Sequence, residues 1–150
     1  MQTLHFSVHI NAPVEKVWDT MLADATYRQW TAAFCPGSHY RGSWEQGSEI
    51  RFIGPNPDGS GNGGVVSCIR ENRLHEFISV EHLGLIENDV EDTTSEKVKG
   101  WVGAHENYTF TAVDGGTDLQ IDTDTEESFV AMFNDMWPKA LHALKELAEK

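Results

Sequence analysis

The stretch EESFVAMFNDMWPKALHALKELAEK, residues 126–150, decides how the rest of the chain is read. Phe129, Phe133, Met136, Ala140, Leu144 and Leu147 recur at spacings of three and four, and Val130, Trp137, Leu141 and Ala148 widen that stripe. Asp135, Lys139, His142, Glu146 and Glu149 recur on the opposite side. This is the pattern of a long amphipathic helix with a broad apolar face. At about 1.5 Å per residue it spans the width of a small domain, so it needs a large apolar partner. Pro138 lies inside the pattern; it has no N–H for the carbonyl of Asn134, which predicts a kink or an interruption.

Working outward, His105–Val113 and Thr117–Thr125 read as a hairpin turned by Asp114-Gly115-Gly116. Tyr108, Phe110 and Ala112 alternate with polar residues, and Leu119 and Ile121 continue the apolar face. At the other end Leu4, Phe6, Val8 and Ile10 alternate with polar residues, the mark of a half-buried strand. Pro13 and Glu15 then open a short helix carrying Val14, Val17, Trp18 and Met21. A second short helix from Asp24 carries Tyr27, Trp30 and Phe34 and stops at Pro36-Gly37. Strands are expected at His39–Trp44, Ser48–Gly54, Val65–Arg70 and Leu74–His82, with a loop over Pro55–Gly64. In the irregular segment Gly84–Gly103, Thr93 and Glu96 match a capping box for one helical turn over Thr94–Lys99. The order is one strand, two short helices, six strands and a long helix. That describes a single two-layer α+β domain over residues 1–150, a curved antiparallel sheet of six to seven strands under the C-terminal helix.

Composition narrows the function. With 11 Lys and Arg against 24 Asp and Glu, the formal net charge is −13. Such a surface does not suit nucleic acid or anionic membranes, both of which require basic residues. No apolar run reaches the ~20 residues of a membrane span, and the first residues lack a signal-peptide pattern, so a cytoplasmic location is expected. Cys35 and Cys68 are too few for a disulfide scaffold and read as structural thiols. Residues 59–64 spell G-x-G-x-x-G, but a strand follows where a dinucleotide site needs a helix. Asp122, Asp124 and Glu126 alternate along a strand opposite Leu119 and Ile121, as a solvated acidic face does. The seven histidines form no metal-ligand spacing, and no cofactor or metal is expected. Glu106 shares strand parity with Tyr108 and Phe110. It either faces the interior, where its pKa would rise, or lies at a wet rim near the strand start.

The chain resembles the START-like, or SRPBCC, superfamily with its helix-grip fold, and within it the branch named after the activator of the heat-shock-protein ATPase. The resemblance spans nearly the whole chain. It rests on Ile10-Asn11-Ala12-Pro13 with Val17-Trp18, then Trp30, Gly47, Phe52 and the segment Gly64–Glu81, and further on Glu106-Asn107-Tyr108-Thr109-Phe110, Gly116-Thr117-Asp118-Leu119 and Trp137 with Leu141 and Leu144. It implies a cavity between sheet and helix that holds a lipid, polyketide or other apolar molecule. Some relatives are cyclases or hydrolases, and some assist a chaperone; no shared catalytic residue carries over.

The candidate ligand-binding residues divide between the two layers. From the long helix come Phe129, Met132, Phe133, Met136 and Trp137; these are core residues, or the adaptable wall of a ligand site. The sheet offers Tyr40, Phe52, Glu106, Tyr108 and Phe110, and Trp30, Phe34 and Trp101 are expected at the cavity mouth. Three readings follow: binding of a small hydrophobic molecule, a hydrolase or cyclase using polar groups in the same cavity, and a protein-partner domain like a chaperone cofactor. The oligomeric state is left open.

Overall fold

The computed structural model describes residues 1–56 and 58–150; Pro57, inside the expected loop, lies outside the described residues. The chain runs β1 (Gln2–Ile10), α1 (Val14–Leu22), α2 (Asp24–Trp30), a 3-10 turn (Thr31–Ala33), then β2 (His39–Gly42), β3 (Glu49–Pro55), β4 (Asn62–Arg73) and β5 (Phe77–Glu87). It continues through β6 (Val90–Asp92), α3 (Glu96–Lys99), β7 (His105–Val113) and β8 (Gly116–Thr125) to a second 3-10 turn and α4 (Val130–Ala148). The architecture is α+β, as the residue patterns predict. The strands form one antiparallel sheet in the order β1-β8-β7-β5-β4-β3-β2, with β6 added beside β5.

The alternation of β1 places Phe6, Val8 and Ile10 towards the core, in register with Ile121, Leu119 and Thr117 of β8. On the inner face of β5, Ile78 and Val80 are fully enclosed, and α4 closes over that face with Trp137, Ala140, Leu141, Leu144 and Ala148. Each large aliphatic side chain buried in this way stabilises the fold by about 1.5–3 kcal/mol. The helices α1 and α2 fill the space beside α4. Trp30 is anchored by its indole N–H, which donates to the carbonyl of Met21 at 3.1 Å.

Several expectations need correction. The buried stripe of α4 is Trp137, Ala140, Leu141, Leu144 and Ala148, all within the expected face, but it starts only at Trp137; Phe129, Phe133 and Met136 are not buried. The helix continues through Pro138 without interruption. The capping box at Thr93 and Glu96 does not form; Asp92 instead accepts the backbone N–H and the hydroxyl of Ser95 at 3.0 and 2.6 Å. The expected loop over Pro55–Gly64 is shorter, because β3 and β4 stay paired out to Pro55 opposite Asn62. Its tip is tied down: Asn56 Nδ2 donates to Asn88 Oδ1 at 3.0 Å, and Asn62 Nδ2 to Asp89 Oδ1 at 2.8 Å. A β-bulge lies at Leu83, between the pairs Val66 with Gly84 and Ser67 with His82. The bulge bends β5 and leaves His82 on the inner face.

Candidate functional site

No residue of α4 before Trp137 is buried; the first half of the helix stands over the sheet without packing into it. Beneath it lies a cavity of about 420 Å³. Trp137 and Phe133 of α4, Trp30 and Tyr27 of α2, Phe34 and Phe52 form its aromatic walls. Trp137 lies against two of these rings and against Phe6 of β1: Phe34 at 5.0 Å edge-on, Trp30 at 6.2 Å and Phe6 at 6.1 Å stacked. Met132, 39% exposed, borders it with the half-buried Cys35, Ser38 and Asn56, which places the mouth beside them.

One set of polar groups bordering the cavity lies on β7 and β8. Glu106 stands opposite Thr123 of β8 and Val80 of β5, so the parity that points Tyr108 inward also points its carboxyl group inward. The Tyr108 hydroxyl donates to Glu106 Oε2. Burial raises the Glu106 pKa above the usual carboxylate range, while the hydrogen bonds from Tyr108 and Thr123 favour the charged form and offset part of that rise. Glu106 thus lines the cavity, where it is half-buried. Burial, and then the nearby Glu106, push the Tyr108 and Tyr27 phenols upward, so both remain protonated donors.

A second polar element, at His82, also borders the cavity. Ser67 Oγ lies 2.8 Å from His82 Nδ1, and the His82 ring stacks on Trp101 at 4.8 Å and 6°. Burial, then His105, lower the His82 pKa to about 4, so the imidazole is neutral at neutral pH. Ser67 is fully enclosed and does not border the cavity. Cys35 does, but its Sγ meets the carbonyl oxygens of Pro55 and Pro36 at 3.4 and 3.6 Å. Among the described residues, no three His, Cys, Asp or Glu side chains are placed to hold a metal. Asp122 and Asp124 are taken up by β1, bonding His5 and Thr3, each at 2.5 Å.

Of the side chains expected at the site, Trp30, Phe34, Phe52, Trp101 and Glu106 border the cavity, as do Tyr108, Met132, Phe133 and Trp137. Trp30 and Trp101 are wall rather than mouth, at 2% and 9% exposure. Four others lie elsewhere. Tyr40 turns to donate to the Leu22 carbonyl at 2.6 Å, and Phe110 packs against Trp18 at 5.1 Å. Phe129 is 44% exposed in the 3-10 turn before α4, and Met136 sits off the cavity side of the helix. Tyr27, His82 and Thr123 escaped the sequence reading. Parity alone pointed to two of them, since His82 follows Ile78 and Val80, and Thr123 follows Leu119 and Ile121, at steps of two.

A family model described as Activator of Hsp90 ATPase homolog 1-like protein matches residues 11–149. The chain belongs to this family. Solved structures with the same fold as this homolog 1-like domain include a Nitrosomonas europaea protein at 14% identity and TM-score 0.73, covering 97% of this chain and 92% of that one. An AHSA1-like protein from Aeromonas hydrophila matches at 19% identity and TM-score 0.72, over 99% and 92% of the two chains. The Aha1 dimer from Colwellia psychrerythraea matches at 18% and 0.72, over 99% and 97%. At such identities the likeness speaks for the fold alone. No curated relative matches the sequence. Among the described residues of this homolog 1-like domain, no helix is long and apolar enough to cross a membrane.

Proposed function

We propose that the chain binds a small, largely apolar molecule under the first half of α4. One observation carries this reading: the cavity of about 420 Å³ is walled mostly by aromatic side chains, with a few polar groups set among them, Glu106, Tyr108 and Thr123 on the sheet and Ser38 and Asn56 at the mouth. Small-molecule sites share that build, a mostly apolar hollow of about 300–1,000 Å³ with a few convergent polar groups that orient the ligand. A core meant only for stability fills such space, because each unfilled methyl-sized void costs about 1 kcal/mol.

A neutral naphthalene derivative, 2-naphthalenemethanol, tests the reading. It should bind saturably, quench the fluorescence of Trp30, Trp101 and Trp137, and raise the melting temperature by mass action. Absence of saturable quenching, together with an unchanged melting temperature at millimolar probe, refutes it.

A further inference from the structure

We propose that the cavity selects a cation: an aromatic or otherwise apolar molecule carrying a protonated amine that pairs with Glu106. This rests on the binding reading above and narrows its ligand class.

The charge inventory of the cavity is one-sided. Among the described residues bordering it, Glu106 is the only carboxylate, and none is Lys or Arg. The groups facing Glu106 are the Tyr108 hydroxyl from β7, Thr123 from β8 and Tyr27 from α2. From β5 comes His82, which burial, then the nearby His105, keep uncharged at neutral pH. The segment of α4 above contributes Met132, Phe133 and Trp137 and no ionisable group. A carboxylate offers about four lone-pair sites, and the hydroxyl donors here do not use them all.

Desolvation of Glu106 is a cost already met in folding, before any ligand arrives. An incoming ammonium therefore loses only its own hydration and gains a charge-assisted hydrogen bond. Tyr27, Trp30, Phe52 and Tyr108 border the same cavity, and a cation held over one of these rings would gain cation–π attraction. The net charge of −13 makes the surrounding potential negative, which concentrates cations at the mouth. A fatty acid or other carboxylate meets the reverse situation, with two like charges in a low-dielectric site and no basic side chain to bridge them.

Three probes of one shape separate the possibilities: 2-naphthylmethylamine, 2-naphthalenemethanol and 2-naphthoate, titrated by calorimetry at pH 7.5. The amine should bind at least about tenfold tighter than the alcohol, as a charged partner gives, with naphthoate the weakest. In Glu106→Gln, whose amide oxygen still accepts from Tyr108, the amine-to-alcohol ratio should fall to about one. An alcohol that equals or exceeds the amine in the native protein overturns the inference and leaves the binding reading intact. So does a preference for the amine that survives Glu106→Gln. If none of the three binds, both readings fall. Should Glu106→Gln not fold, the ratio in the native protein decides alone.

Discussion

Replacing Trp137 with Ala tests the whole arrangement of helix on sheet. Trp137 is 3% exposed and lies against Phe6, Phe34 and Trp30 at 6.1, 5.0 and 6.2 Å. Truncating a buried Trp to Ala costs about 3–5 kcal/mol, made of lost transfer energy and the cavity left behind. Trp137 also borders the existing cavity, so the new space joins one that water can enter instead of forming a sealed void. That places the expected loss near the lower end, about 3 kcal/mol. For a chain of this size each kcal/mol moves the melting temperature by about 2–4 °C, so the midpoint should fall by about 6–12 °C. Urea unfolding should show the loss as a lower midpoint at an unchanged slope. Phe129→Ala is the control: at 44% exposure it should cost less than about 1 kcal/mol. A Trp137→Ala loss below about 1 kcal/mol, or a Phe129→Ala loss as large, would show that Trp137 does not anchor α4 in the core.

Three further outcomes are expected. Phe133→Asp should abolish binding of 2-naphthalenemethanol, because it sets an unpaired charge in the cavity wall; unchanged affinity in fluorescence titration would place the ligand elsewhere. His82 is held near pKa 4 in the fold against 6.5 unfolded, so the unfolded chain takes its proton first as pH falls. Stability should therefore drop between pH 6.5 and about 4, by roughly 3 kcal/mol from this group. His82→Gln should flatten that slope in denaturant titrations run across the window, and an identical slope would reject the assignment. Gly64 has φ +152°, and a Cβ there would meet the Phe52 carbonyl oxygen at 1.9 Å, so Gly64→Ala should cost at least about 2 kcal/mol. Native-like stability of that variant, read by thermal melting, would argue against the β3–β4 register.

What the residues disclose in advance depends on whether the information is local. The inward faces of β1, β7 and β8 follow from alternation, because a side-chain period of two has only one way to bury Phe6, Tyr108 and Leu119. The same parity carried Glu106 inward. How far along α4 the packing extends was harder to read, since Phe129, Phe133 and Met136 continue the spacing of Ala140 and Leu144 without a break. Only the fold around the helix buries Trp137, Ala140, Leu141 and Leu144 and leaves the earlier residues unburied. The ends of β3 and β4 were misplaced for a related reason. Local chemistry marks Asn62-Gly63-Gly64 as loop, whereas hydrogen bonds from strands distant in sequence hold it extended. Tyr40 illustrates the same limit: it has the right parity for the cavity, but a distant carbonyl at Leu22 claims its hydroxyl.

The cavity and the carboxylate imply each other. Over Ala140–Ala148, α4 presents Ala140, Leu144 and Ala148, all fully enclosed, and the two alanines let the helix come close to the sheet. Over Val130–Trp137 the same helix presents Phe133 and Trp137 towards the sheet, with Asn134 and Asp135 exposed. Bulky rings spaced along one segment prop it away from the strands, and no residue before Trp137 reaches the core. Had that segment packed down, Glu106 would sit in a dry core with only hydroxyl partners, an arrangement that costs several kcal/mol. Open space beside Glu106 leaves room for a cation that would offset that cost. The division of α4 into a packing half and a covering half therefore does two things at once. It makes a buried acid tolerable on β7, and it sets that acid in a cavity walled by Phe133 and Trp137, where under the proposed reading a ligand's charge would have a single partner.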